Sequence, residues 1–72
     1  MILKEIKIRT RKELVVLFEK LERNDFKWSS GKSLVAHNYI VDEFPAYIHM
    51  HENNNITWGR DSIPESAWKY SW

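Results

Sequence analysis

A chain of 72 residues without a cysteine has to close its core with side-chain volume alone. This chain supplies the volume as aromatics. Trp28, Trp58, Trp68 and Trp72, with three tyrosines and three phenylalanines, bring the aromatic fraction to 14%. A chain of this size buries only about 60% of its unfolded surface, so it forms one domain of marginal stability that leans on aromatic burial or oligomerisation. Four tryptophans exceed what closure requires, and Trp is over-used where a protein grips a partner. The composition points to a compact binding domain, and no segment spells out a reaction.

The net charge of +1, from 11 basic and 10 acidic residues, excludes a dedicated DNA-coating protein. The charge is unevenly placed: Lys4, Lys7, Arg9, Arg11 and Lys12 face Glu5 alone in the first twelve residues. No apolar run approaches the ~20 residues of a membrane span, and the charged beginning of the chain does not read as a signal peptide. These features lead to the expectation of a cytoplasmic protein.

Residues 2–8 read as a strand, with Ile2, Ile6 and Ile8 on one face and Lys4 interrupting it as at a sheet edge. Thr10-Arg11-Lys12-Glu13 has the form of a capping box. It opens a helix over 11–23, where Leu14, Leu17, Phe18 and Leu21 make one apolar stripe that Val15 widens. Glu19 and Arg23 are spaced for an i,i+4 pair, and Asn24 suits a left-handed stop. Phe26-Lys27-Trp28 begins a second strand, ended by the turn Ser29-Ser30-Gly31-Lys32. Residues 33–45 have no clean period and are expected as a long ordered loop with a short helical turn.

Residues 46–51 alternate as a third strand, with Tyr47, His49 and His51 on one face. Glu52-Asn53-Asn54-Asn55 is a hairpin turn, because Asn tolerates positive φ. Ile56-Thr57-Trp58 is the returning strand. Ser62-Ile63-Pro64-Glu65 suits one helical turn, and Trp68-Lys69-Tyr70-Ser71-Trp72 alternates as a last strand. The order β-α-β-loop-β-β-β predicts a single α+β domain: an antiparallel-rich sheet of four to five strands with one amphipathic helix on one face. The second face is then solvated, covered by the 33–45 loop, or used for a partner.

The run Leu21-Glu22-Arg23-Asn24-Asp25-Phe26-Lys27-Trp28-Ser29-Ser30-Gly31-Lys32 and the later Ile56-Thr57-Trp58-Gly59 resemble short, mostly uncharacterised accessory proteins of phages and prophages of Gram-positive bacteria. A K-W-x-S-G step after the helix and an aromatic-Gly step after a late hairpin carry the resemblance, which covers the layout of residues 2–60. The Trp-rich tail departs from it. The resemblance brings no catalytic residues. It implies a setting, the host bacterial cytoplasm, and a role in binding a host factor or signalling molecule.

Several constellations bear on chemistry. Gly31-Lys32-Ser33 resembles the tail of a phosphate loop, but Phe26 stands where the motif needs its first glycine. His49 and His51 share a strand face and would need His37 to complete a three-His metal site; two histidines on an amphipathic strand is the plainer expectation. Asp42 and Glu43, adjacent on an extended chain, point apart and read as solvated charge. No cofactor or resident metal is expected.

The leading expectation is a non-enzymatic, phage-encoded protein that antagonises host defence by sequestering a nucleotide-derived signal. Trp28 and Trp58 would stack on the base, and Arg9, Arg11, Lys32 and Arg60 would hold phosphate, two of them at a helix N-terminus. Both tryptophans also alternate like core residues. The alternative is a protein–protein inhibitor of a host nuclease or defence complex; a third is a single-stranded nucleic-acid module using Tyr47, His49 and Trp58. Trp68, Tyr70 and Trp72 are the expected homo-oligomer contact.

Overall fold

The computed structural model describes residues 1–70, and within them the chain is an α+β fold of one helix and a four-stranded, mostly antiparallel sheet. Strand β1 spans Ile2–Ile8, helix α1 Arg11–Arg23, β2 Lys27–Trp28, β3 Ala46–His51 and β4 Asn55–Gly59. Two 3-10 helices, Asn38–Ile40 and Glu65–Tyr70, complete the regular structure. The sheet order is β1-β3-β4-β2, with only the β2–β4 pair parallel. The seven-residue β1 therefore forms one edge and the two-residue β2 the other.

Helix α1 starts where a side chain takes over the first free amide: the Glu13 N–H donates to Thr10 Oγ1 at 3.2 Å. The reciprocal half of a capping box is replaced by a contact between the Thr10 hydroxyl and Glu13 Oε1 at 3.3 Å. At the other end the Phe26 N–H reaches the Leu21 carbonyl (3.0 Å) and the Asp25 N–H that of Glu22 (3.1 Å), a Schellman closure. The left-handed residue is Asp25, at φ +66°, and not Asn24, at φ −102°. Asn24 instead donates its side-chain amide to the Lys20 carbonyl at 2.8 Å.

The apolar stripe buries Leu14, Phe18 and Leu21 against Ile8, Ala46, Ile48 and Ile56 of the sheet. Trp28 joins them edge-on to Phe18, with ring centroids 5.3 Å apart. The 33–45 segment is ordered because it contributes to this core: Leu34 and Val41 are fully buried. The helix pins it at both ends. Arg11 donates to the carbonyls of Asn38 (2.6 Å) and Val41 (2.7 Å) and lies over the Phe44 ring. At the far end Glu22 accepts from the Ser33 hydroxyl and the Val35 amide. These bonds outweigh the opposing effect of desolvation and hold the Glu22 carboxyl below its ordinary range, the Ser33 bond contributing most.

Three expectations are corrected. Ile2 does not share a face with Ile6 and Ile8, because a register shift between Ile2 and Lys4 places it opposite His51. The second sheet face is covered by the C-terminal segment and not by the 33–45 loop: the Ser62 hydroxyl and the Ile63 N–H both bind Glu5 of β1. The expected final strand over 68–72 is absent through Tyr70, where the chain forms a 3-10 helix that starts just after Pro64, with the Ala67 N–H donating to the Pro64 carbonyl at 2.8 Å. The rest of that stretch lies outside the described residues.

Candidate functional site

The residues expected to bind a ligand do not converge. Trp28 is 4% exposed, and its indole Nε1 is buried without a hydrogen-bond partner among the described residues. Its ring belongs to the core. Arg11 is committed to the loop carbonyls. Trp58 pairs with Ile48 on the helix side of the sheet and packs at the margin of the core. Arg60 stacks over the Trp58 ring at 5.1 Å and is paired with Glu43 and with Asp42, at 3.3 Å from the latter. The two carboxylates expected to point apart thus meet on one guanidinium. Arg9 and Lys32 are exposed at separate places, Lys32 in a tight turn closed by the Gly31 N–H on the Trp28 carbonyl (2.7 Å). Gly31 takes φ +87° there, a turn role that needs no phosphate.

The grouping of Tyr47, His49 and Trp58 on one face is also corrected. Register pairs His49 with Thr57 and Ile48 with Trp58, so Trp58 lies on the opposite face from the other two. His37 is in the loop, with Nδ1 against the Ser33 carbonyl at 3.2 Å. Among the described residues no group of three or more His, Cys, Asp or Glu side chains is placed to hold a metal ion.

His49 and His51 form a buried polar layer beneath the C-terminal segment, each 3% exposed. His49 Nε2 donates to Glu5 Oε2 at 3.0 Å, and His51 Nε2 shares a 2.6 Å hydrogen bond with Thr57 Oγ1. Burial, helped by the nearby N-terminal ammonium and by His49, pushes the His51 pKa below its ordinary value. Desolvation opposes ionisation of Glu5, but bonds from the Ile63 amide, the Ser62 hydroxyl and His49 together hold its pKa below the ordinary carboxylate value. A cavity of about 270 Å³ remains between this layer and Asp61 and Ile63. Its polar groups already serve to hold the segment down. Trp68, from the expected oligomer contact, donates its indole N–H to the Ile63 carbonyl at 2.8 Å, which braces the same segment. The Tyr70 side chain and Trp72 lie outside the described residues.

A larger concavity lies elsewhere, between the free edge of β1 and α1. It is a groove of about 470 Å³. Ile6, Ile8, Val16 and Leu17 give it an apolar floor, and Lys7, Lys12 and Lys20 stand around it with Glu13 as the single acid. Val16 is 49% exposed, and Leu3, farther along the edge, 54%. Val16 sits in the groove because the run Leu14-Val15-Val16-Leu17-Phe18 holds more apolar positions than one helix face can bury. That surplus was the signal available in the sequence, and assigning the stripe to the core alone passed over it. Beside the groove, β1 has no strand on its outer side among the described residues.

No family of known proteins, no curated protein and no solved structure matches the chain. Among the described residues no helix is long and apolar enough to cross a membrane.

Proposed function

We propose that the chain is a non-enzymatic protein-binding module that acts by occupying a surface of another protein, with the β1–α1 groove as its contact. In the phage setting that the Lys27-Trp28 and Trp58-Gly59 steps suggest, that partner is a host protein. The observation that carries this reading is the groove itself: apolar floor, basic rim and an open strand edge in one place. Sequestration of a nucleotide draws less support, because its two stacking residues serve the core and two of its four cations, Arg11 and Arg60, are engaged.

A photo-crosslinking amino acid placed at Val16, with one at Ser66 as a control, tests it in bacterial lysate. A single adduct at position 16, absent at 66 and lost in a Lys12→Glu/Lys20→Glu background, is the expected result. Equal labelling at both positions, or none at 16, rejects the groove as the contact.

A further inference from the structure

We infer that the groove takes an extended, acidic segment of the partner, added to the sheet as a fifth strand along β1; this rests on the protein-binding reading above. Alternate residues of an edge strand turn their N–H and C=O groups outward, and seven residues of β1 present such a row. Strand addition satisfies these groups without any particular partner sequence, and the side chains then set the choice.

The side chains here specify alternation. Residues of an added strand that point to the helix side meet Ile6, Val16 and Leu17, and must be apolar. Those pointing to the other side run beside Lys7, which lies on the face of Tyr47 at 6.0 Å from its ring. Lys12 and Lys20 stand on the helix at the groove, on the side of the apolar positions, and add to the positive field without facing the alternate ones. Glu5, the one carboxylate of β1, is already bound by Ser62, Ile63 and His49. The open charges along the edge are therefore mainly positive, and they call for aspartate or glutamate between the apolar positions.

The same charges argue against a second copy of this chain in the groove. In the fully overlapped antiparallel pair of two β1 strands Glu5 meets Glu5, Lys4 meets Ile6 and Lys7 meets Leu3, so the lysines of each copy find no acid across the strands, and like charges across strands are destabilising. A lysine-rich edge blocks self-pairing while leaving the edge open to an acidic strand.

The test is a titration of the isotope-labelled full chain with an eight-residue, end-capped peptide that alternates valine and glutamate. Two companions are used: a valine–lysine version, and a valine–glutamate version N-methylated along one edge. The expected result is protection of outward β1 amides from hydrogen exchange, with methyl shifts at Val16 and Leu17. Binding should weaken at least tenfold for each companion, and several-fold both for Lys7→Glu and on raising salt from about 50 to 500 mM. If Val16 and Leu17 respond while the β1 amides do not, or the N-methylated peptide binds equally, strand addition is overturned and the protein-binding reading stands. Equal binding of the lysine peptide overturns the acidic assignment. Protection of β1 without peptide, rising with protein concentration, puts a second copy there instead. No response from any groove residue to any peptide, together with no crosslink at position 16, removes both.

Discussion

Replacing Glu5 with glutamine separates the two faces of the sheet energetically. The Glu5 carboxylate accepts from the Ser62 hydroxyl at 2.6 Å, the Ile63 amide at 2.9 Å and His49 Nε2 at 3.0 Å. Glutamine fits the same space. Its oxygen can keep Ile63 and His49, and its NH2 can donate to a Ser62 hydroxyl that turns to accept. The geometry survives, and the charge is lost. A hydrogen bond to a charged group contributes about 1.5–3 kcal/mol and a neutral one about 0.5–1.5 kcal/mol. Three such bonds, reduced for partial solvent access at Ser62, put the loss near 2 kcal/mol, or about 30-fold in an opening equilibrium. Hydrogen exchange read amide by amide is the assay. The Ile63 amide should lose about 30-fold in protection, while amides of the helix-side core, Ile48 and Ile56 among them, change far less. Unchanged exchange at Ile63 refutes the clip. An equal loss at Ile48 and Ile56 refutes the idea that the segment opens separately from the core.

Arg11→Met should lower stability by about 2 kcal/mol, because the guanidinium fork spans the Asn38 and Val41 carbonyls; Arg11→Lys should recover little, since an ammonium has no fork. Urea unfolding midpoints check both. Asp25→Gly should raise stability by about 0.5 kcal/mol, roughly 2–4 °C in melting temperature, because Asp25 holds φ +66° with an acid at a helix C-terminus; a fall in melting temperature contradicts this. His51 has its pKa lowered from 6.5, mainly by burial, so the unfolded chain takes up its proton first. Its contribution to stability is complete above pH 6.5 and declines as pH falls from there toward the lowered folded-state value. His51→Gln should flatten that part of the stability profile, measured by urea melts between about pH 5 and 7.5.

Helix α1, strand β3 and the Asn54 turn were legible because each is fixed by contacts a few residues apart: a 3.6-residue stripe, a two-residue alternation, a residue that tolerates positive φ. The face of Ile2 was not, because it depends on a register shift against His51, far along the chain. The side of Trp58 relative to Tyr47 likewise depends on the hairpin register and not on either strand's own pattern. At the C-terminal end, alternation over five residues matched a strand while Pro64 and the Glu5 clip favoured a 3-10 turn. Of the candidate site, the basic bias of residues 1–12 and the surplus apolar position at Val16 were visible. The groove was not, since it exists only where β1 is an edge and α1 lies beside it.

The two margins of the sheet are unequal. β2 is two residues long, and its backbone folds back on itself, with the Trp28 N–H on the Lys32 carbonyl at 3.1 Å. β1 runs for seven residues with no strand paired on its outer side among the described residues. A molecule with one long free margin can end a foreign sheet there, while its other side offers only the short stretch of β4 beyond Ile56 from which to pass the pairing on. Complexes built through β1 would then favour one partner per copy over a growing fibre.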